Sequence, residues 1–415
     1  MVSYESPRLL NRIGSQCINS LANATLGYLL LPTTVNLGTS ITRLAISLAK
    51  RPEPSAQLTS QGGLEEGDAR QTVVESTAEL LQRALRACFQ DRTSIDASSG
   101  SGPRTKKQGI YVIVNLTMKL LFQCRRIQLV SRTIPNIASN SPALGRYPKS
   151  QRVTYLYYLG RYHFSSNHFR WAYEVLQEAY NLCYPIAISQ KRLILIYLMS
   201  SSIVLGRFPS RQLLARPECQ TLAPRFIPLF QAIQRGDLYS FQQFFEGSQH
   251  GWLKRRAILL PLRNRCEVLV WRSLCRRIFV INGFPGDSRR APTLDLGDVW
   301  AIATGLYAKG KGFHMLEPEP TPMEVETIVG SLVEQGFMRG YISHKQQRFA
   351  ILRGRDKDDT HTAAIGFPPP WTVTSSRAAQ RGDPADVPGW VKEERKVGGM
   401  VVNLAGARPA GSAGG

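Results

Sequence analysis

The sequence predicts an all-α helical-repeat array that is capped at its C-terminal end by a winged helix with a short β-hairpin. Three observations lead to this fold class. Residues 155–185 carry a helix-turn-helix pattern, amphipathic segments lie on both sides of it, and a period-two alternation of apolar residues begins near residue 337. Helix pairs that stack on one another and then end in a hairpin account for all three.

The segment 155–185 (YLYYLGRYHFSSNHFRWAYEVLQEAYNLCYP) predicts two antiparallel helices. Small residues stand where the helix backbones must approach, at Gly160 and Ala172, while Phe169 and Leu176 fill the space beside them. The spacing is close to that of TPR-like repeats of about 34 residues. One such pair cannot bury its own apolar face, so further helices must stack on it.

The N-terminal region predicts more scaffold helices, separated by polar loops. Residues 1–52 hold no acidic residue between Glu5 and Glu53, and an organellar signal or a membrane-contacting segment is the alternative to ordinary helices there. Segments 75–89 and 110–127 have helical periodicity, and the second is apolar enough for a buried helix. Loops are predicted where Gly, Ser, Pro or other polar residues prevail, at 53–70, 93–108 and 136–148.

Helical patterning continues after residue 185. Segment 192–205 is apolar on nearly all sides, which predicts an inner helix. Segments 222–234 and 238–245 predict a second tight helix pair, because Gly236 suits a left-handed helix end and Asp237 suits the N-cap that follows. This part of the chain therefore extends the array.

Segment 252–281 predicts one long helix or two in a strongly basic region. Between residues 251 and 290 there are ten Lys and Arg residues against two acidic ones, Glu267 and Asp287. A basic helical face is commonly solvated surface, but an imbalance of this size favours an acidic partner.

The pattern changes after Pro292. Helix-end signals and then period-two alternation predict two helices followed by two strands, at 293–307, 322–336, 337–343 and 348–352. This order is typical of a winged helix. Segment 354–415 has no sustained period and predicts a disordered tail, apart from 366–371 (GFPPPW), which can fold back onto the domain.

Composition limits the class of protein and of partner. The chain has 415 residues, 43% of them hydrophobic, and a formal net charge of +22. A charge of this size favours nucleic acid, an acidic protein or a membrane surface as partner. The predicted division is into N-terminal helices with disordered loops, a helical-repeat half, a winged-helix half and a mostly disordered tail, at 1–108, 109–290, 291–353 and 354–415.

The cysteines predict buried, reduced side chains in an intracellular protein. They are odd in number and form no CxxC pair, which argues against a disulfide framework or a zinc site. The seven positions are Cys17, Cys88, Cys124, Cys183, Cys219, Cys266 and Cys275.

Four segments carry a resemblance to a known family. They read YYLGRYHFSSNHFRWAYEVLQEAY, RLILIYLMSSSIVLGRFPS, LLPLRNRCEVLVWRSLCRR and LVEQGFMRGYISHKQQRFAIL. In this order they resemble the PCI-domain family, in the branch that contains COP9 signalosome subunit 12 and its mRNA-export relatives of the transcription-export complex. The resemblance covers about residues 107–352, and it implies a helical-repeat half joined to a winged-helix half.

The resemblance also implies a function. Family members are non-catalytic scaffolds that pair with a second PCI-domain subunit and with a small acidic protein shared with the proteasome lid. Their winged helices bind RNA or DNA, and their roles are in transcription, mRNA processing and nuclear export, with loose association with the COP9 signalosome. The expected location is the nucleus, and also the cytoplasm.

Two basic surfaces follow as expectations. The basic wing set would contact nucleic-acid phosphates; it comprises Lys309, Lys311, Arg339, Lys345, Arg348 and Arg353. The partner set would suit the acidic protein; it comprises Lys254, Arg255, Arg263, Arg272, Arg276 and Arg277.

Three other function classes are the alternatives to this nucleic-acid-binding scaffold. An enzyme is not expected, because the sequence holds no GxxxxGK, HExxH or GxSxG motif and no metal-ligand spacing, so no catalytic, cofactor or metal site is predicted. His163 and His168 are interpreted as packing or surface residues. A sequence-specific DNA regulator is disfavoured because helix 323–335 carries acids and no Lys or Arg. A purely structural signalosome subunit without nucleic-acid contact stays open.

Overall fold

Helices form where the sequence carries a helical apolar period. The computed structural model describes residues 5–23, 25–49, 66–91, 105–123, 125–287, 289–309, 319–352 and 362–381. Among these residues, no helix is both long and apolar enough to cross a bilayer. Two compact units are present, one made of Met1–Gln231, Gly247–Leu259 and Pro370–Val387, and one made of Ala232–Glu246, Leu260–Pro369 and Pro388–Gly415.

The α-helices in chain order are α1 Glu5–Leu21, α2 Leu31–Ala49, α3 Glu66–Phe89, α4 Ile110–Gln123, α5 Ile127–Asn140, α6 Lys149–Ser165, α7 Phe169–Leu182, α8 Ile188–Val204, α9 Arg211–Leu214, α10 Ala223–Arg235, α11 Leu238–Glu246, α12 His250–Arg255, α13 Leu259–Asn282, α14 Leu296–Lys309, α15 Pro322–Glu334, α16 Thr362–Gly366 and α17 Pro370–Arg381. The strands are β1 Thr293–Asp295, β2 Gly340–Ser343 and β3 Arg348–Ile351. Single 3-10 turns lie at Gly27–Leu30, Lys106–Gly109, Leu144–Arg146 and Pro217–Cys219.

In the first unit, the N-terminal helices form a genuine core. Leu21 on α1, Ala84 on α3 and Val114 on α4 are fully buried in one apolar cluster. The Lys106 ammonium is buried as well, and it donates to the Leu21 and Asn23 carbonyls at 3.0 and 2.9 Å, beside the C-terminal end of α1. The interpretation of residues 1–52 as scaffold helices is therefore confirmed for its described part.

Helices α6 and α7 are the predicted central pair. The Leu176 side chain occupies the space where a Cβ on Gly160 would lie, so only glycine allows this close approach. Phe164 and Phe169 meet edge to face with ring centroids 5.1 Å apart. Helix α8 packs on this pair and is buried from Ile194 to Val204, as predicted for an inner helix. The helical-repeat interpretation of the chain is confirmed here.

His163 lies inside this helix pair. Its ring centroid is 5.5 Å from that of Trp171 and 6.1 Å from that of His168. Burial, with a further contribution from His168, lowers the pKa of the His163 imidazole to about 4. The ring is thus neutral in the folded protein at all but acidic pH.

We expect His163 to make the protein less stable as pH falls from about 6.5 to about 4. In that window the unfolded chain binds a proton at His163 and the folded chain does not, so protonation favours unfolding. We expect a loss of about 1–2 kcal/mol, reduced from the full linkage value because the ring is only partly buried. Urea unfolding across this pH range should show a flatter profile for His163→Phe, and an unchanged slope in that variant would contradict the assignment.

The second unit contains the winged helix. Its sheet has the order β1-β3-β2, and both pairs are antiparallel. Helix α15 begins with a capping box in which the Thr321 side chain accepts from the Glu324 backbone N–H and the Glu324 carboxylate accepts from the Thr321 N–H. The predicted hairpin and the two helices before it are therefore confirmed as a winged helix.

Several boundary predictions were wrong. Residues 66–70, predicted as loop, belong to α3, and 106–109 form a 3-10 turn. Helix α5 runs to Asn140 and contains Pro135, although 136–148 was predicted as loop. The loop predictions for 53–65 and 93–104 lie outside the described residues. Short helical elements stabilised by tertiary packing override weak local propensity in these places.

Two further differences concern the C-terminal half. The first three residues of the predicted helix 293–307 form strand β1, because Thr293 and Leu294 pair with Ala350 and Phe349 across the sheet. Helices α16 and α17 contradict the prediction of disorder for residues 362–365 and 372–381. The Trp371 ring of α17 lies 5.3 Å from the Tyr173 ring within the first unit. The prediction of disorder for 354–361 and 382–415 falls outside the described residues.

The six cysteines among the described residues are all free thiols. Five of them are buried, and burial raises the pKa of Cys88 and of Cys275 to about 12 and that of Cys219 to about 11. These thiols are therefore protonated and unreactive in the folded protein.

Candidate functional site

The winged-helix sheet has an inner and an outer face because its strands alternate. Leu294 and Phe349 are fully buried on the inner face. On the outer face, the cross-strand register places Thr293, Ala350 and Tyr341 in one row. The next row on that face contains Asp295, Arg348 and Ser343. The outer face therefore presents polar and aromatic groups.

The wing consists of β2, β3 and the turn 344–347 between them. Gln347 in this turn has a φ of 51°, and its carbonyl accepts from the Leu296 N–H at 2.9 Å. The Glu326 carboxylate on α15 holds the turn from the other side, through His344 Nδ1 at 2.9 Å and Gln347 Nε2 at 3.3 Å. The wing tip is thus fixed to both helices of the winged helix.

The structure brings four of the basic wing set onto the winged helix. Arg339, Lys345 and Lys309 are exposed, at the base of the wing, at its tip and at the end of α14. Arg348 is about half exposed and lies 3.6 Å from the Asp295 carboxylate, so part of its charge is already neutralised. Lys311 and Arg353 lie outside the described residues.

The acids of α15 have structural roles. Glu324 completes the capping box, and Glu326 holds the wing turn. These contacts explain why the helix carries carboxylates where a base-reading helix carries Arg, Asn or Gln. Helix α15 is thus built to support the wing.

The partner set is divided between the two compact units. Lys254 and Arg255 are exposed on α12 in the first unit, and Arg276 and Arg277 are exposed on α13 in the second. Arg263 is half-buried on α13. Whether an acidic protein binds these residues remains a prediction.

Arg272 does not belong to the exposed partner set. Its side chain is buried, and its Nη2 donates to the Phe367 and Pro368 carbonyls at 2.6 and 2.7 Å. Burial lowers the pKa of Arg272 to about 10, and neighbouring Arg276 contributes to this shift. The guanidinium remains charged at neutral pH and holds residues 362–369, which we name the C-terminal strap. The prediction of a partner-contacting role is therefore wrong for this residue.

The outer face of the sheet carries a groove, which was not predicted from the sequence. Its volume is about 1000 Å³. Phe284 pairs with Thr293 through two backbone hydrogen bonds of 3.0 and 2.9 Å. It thereby extends the row of Thr293, Ala350 and Tyr341, and these four residues form the floor of the groove. We name this the outer groove. The period-two pattern of 337–343 is the sequence signal from which the solvent-facing position of Tyr341 could have been inferred.

In the described part of the chain, no group of three or more His, Cys, Asp or Glu side chains is placed to hold a metal ion. The two predicted histidines, His163 and His168, pack with Trp171 as described above.

The chain is similar to PCI domain-containing proteins and to CSN12 homologs. No protein-family model matches the chain. A PCI domain-containing protein of Schizosaccharomyces pombe is 32% identical over 250 residues, which are 60% of this chain and 54% of that protein. The CSN12 homolog of Neurospora crassa is 30% identical, over 67% of this chain and 59% of its own length. The PCI domain-containing protein 2 homolog of Drosophila melanogaster is 29% identical, over 68% and 64%.

These relatives are longer than the matched region. The chain spans 54% of the first of them and 59% of the second. The similarity and the arrangement of helices and wing agree with the resemblance that the four sequence segments indicated.

Proposed function

Since the chain belongs to the PCI-domain proteins, in the branch of the CSN12 homologs, we propose that it is a non-catalytic scaffold subunit that binds nucleic acid. In this proposal it pairs with a second PCI-domain protein and with a small acidic subunit of the proteasome-lid type. It couples transcription to mRNA processing and nuclear export, acting in the nucleus and also in the cytoplasm.

The observation that carries the proposal is the exposed positive charge around the wing. The chain has a net charge of +22, and Arg339, Lys345 and Lys309 project from the winged helix into solvent. Phosphate contacts by Lys and Arg release counterions and supply most of the sequence-independent affinity for nucleic acid. Because the acids of α15 support the wing, the expected contact is made by the wing and not by α15 in a major groove.

A second candidate is a structural subunit associated with the COP9 signalosome without nucleic-acid contact. The names of the CSN12 homologs support it. The pairing of Arg348 with Asp295 supports it too, because an arginine that already has a carboxylate partner gains less by binding phosphate.

Affinity purification of the full-length protein from cells, with and without nuclease, separates the two candidates. The expected result is a small assembly that survives nuclease and contains a small acidic protein and a second PCI-domain protein. Recovery of the complete set of signalosome subunits would favour the structural candidate. If no PCI-domain partner co-purified in either preparation, the scaffold proposal would be wrong.

Removing two wing charges tests the nucleic-acid part. We expect the double variant Arg339→Ala, Lys345→Ala to weaken binding to single-stranded and duplex oligonucleotides alike, since phosphates are common to both. The slope of log affinity against log salt should fall by about 2, because each of the two side chains is expected to neutralise one phosphate. Fluorescence anisotropy over a salt series measures both quantities.

The matched control removes the same charge elsewhere. Arg86 and Lys119 are exposed on α3 and α4 in the first unit, so Arg86→Ala, Lys119→Ala changes net charge equally without touching the wing. An identical salt slope in the wing variant and the control would show that the wing does not contact phosphates.

A further inference from the structure

The outer groove has features that the wing charges do not explain. Its floor is low in the middle, where Thr293 and Ala350 are small, and aromatic at both ends, where Phe284 and Tyr341 stand. Adjacent strands lie about 4.8 Å apart, so three strand spacings separate the two rings by about 14 Å. The groove thus has two aromatic ends with a shallow polar floor between them.

Both aromatic side chains are accessible to a ligand. Tyr341 is 59% exposed and Phe284 is 42% exposed, whereas Phe349 of the same sheet is fully buried. Burying large aromatic side chains stabilises a fold, so two of them on one solvent face indicate a surface that binds something. Planar aromatic groups can stack on such rings.

The charges in the outer groove are compatible with a nucleotide. Asp295 is occupied, because Oδ2 lies 3.6 Å from Arg348 and Oδ1 accepts from the Gly297 N–H at 2.8 Å. Asp298 lies in the first turn of α14, where the positive end of the helix dipole offsets its charge. Arg290 stands at the exposed rim of the groove. A phosphate at this rim would meet the Arg290 guanidinium, and the Asp295 carboxylate in the groove already has partners.

The volume of the outer groove favours a single-stranded over a double-stranded nucleic acid as its ligand. A volume of about 1000 Å³ is at the upper end of the roughly 300–1000 Å³ range of small-molecule sites. Such a space holds a few unstacked bases and excludes a double helix, whose bases are hidden in their stack. Sequence-independent single-strand sites combine aromatic platforms with a basic rim in this way.

We propose that the outer groove binds unpaired bases of single-stranded RNA or DNA, which stack on Tyr341 and Phe284. The proposal rests on the proposed function, since it names the form of nucleic acid that the winged helix takes. The wing charges then supply affinity for any phosphate chain, and the outer groove supplies the preference for single strands.

The test uses the full-length protein and two fluorescent probes of one sequence, a short single-stranded oligonucleotide and its blunt duplex. We expect Tyr341→Ala to weaken single-strand binding roughly 5- to 150-fold, the usual loss on removing one stacking side chain. Duplex binding should stay unchanged, and Tyr341→Phe should retain single-strand affinity because the ring remains. Tyr184→Ala is the matched control, because Tyr184 is 68% exposed and lies in the first unit.

The outcomes separate this proposal from the one on which it rests. If Tyr341→Ala binds single strands as tightly as the unaltered protein, while the wing variant loses affinity, the outer groove proposal is wrong and the proposed function stands. If the unaltered protein binds neither probe at low ionic strength, the outer groove proposal and the nucleic-acid part of the proposed function are both wrong. Photo-crosslinking of a thiouridine-containing single strand to the unaltered protein gives an independent readout. It should label the peptide that contains Tyr341, and label confined to other peptides would overturn the proposal.

Discussion

Replacing Gly236 with valine is expected to destabilise the second compact unit by about 3–5 kcal/mol. Gly236 has a φ of +68°, a conformation that β-branched residues rarely adopt. A Cβ at this position would lie 2.5 Å from the Leu274 Cα, so the clash is with backbone and no side-chain rotation relieves it. Strain and overlap therefore add. Urea unfolding of the purified variant measures the loss.

The control for this prediction is another glycine of the same unit. Gly305 lies on an exposed face of α14, and a Cβ there would meet no atom within 4 Å. Gly305→Ala should stabilise the protein by about 0.5–1 kcal/mol, because alanine favours a helix interior over glycine. If both variants unfolded at the same urea concentration, close approach at Gly236 would not be the determinant of stability that the structure indicates.

Replacing Arg272 with methionine is expected to cost about 2–4 kcal/mol and to release the C-terminal strap. Methionine fills similar space, but it leaves the buried carbonyls of Phe367 and Pro368 without their donor. The variant also removes the free-energy cost of burying the charged guanidinium. The expected loss is therefore smaller than the sum of two hydrogen bonds to a charged group. Thermal unfolding gives the total effect.

Hydrogen exchange locates the effect of Arg272→Met. Protection should fall first at residues near the strap, including the Arg339 N–H, which donates to the Gly366 carbonyl at 2.9 Å. Arg276→Met is the control, because Arg276 is exposed one turn further along α13. Arg272→Lys should be intermediate, since it keeps the charge and loses the planar group. Uniform loss of protection across the chain would argue against a specific role in holding the strap.

Features that depend on local sequence were predictable. The helix pair of 155–185 follows from Gly160 and Leu176, and the tight turn before α11 follows from Gly236, whose φ is indeed positive. In that turn Asp237 accepts from the Ser240 N–H at 3.1 Å, as an N-cap does. These signals act over a few residues and can be seen in the sequence alone.

Features that depend on distant partners were not predictable. Strand β1 has three residues, and its partner β3 lies more than fifty residues further along the chain, so no local period marks it. Arg272 lies in a basic segment whose sequence predicts exposed side chains. It is buried because Phe367, 95 residues further along the chain, packs against it and accepts its hydrogen bond. Helix α17 begins at Pro370, a residue that suits the first turn of a helix, but the residues after Trp371 carry no sustained apolar period, so disorder was predicted for them.

The candidate site shows the same division. Positive charge near the wing could be predicted by counting residues, and four of the six basic wing residues lie on the described winged helix. The pairing of Arg348 with Asp295 could not be predicted, because it depends on strand register. The outer groove could not be predicted either, because one of its ends is Phe284, which pairs with the sheet from outside the predicted hairpin.

The strand order β1-β3-β2 has a consequence for synthesis of the protein. The strand that emerges last from the ribosome is the central one, and β1 and β2 do not pair with each other. Neither therefore has β3 as its partner until Ile351 has been translated, and the edges of β1 and β2 that face β3 stay unpaired until then. A chain that stops before Arg348 loses the whole sheet and not one strand. The sheet of the winged helix therefore forms as a single, late-completed unit.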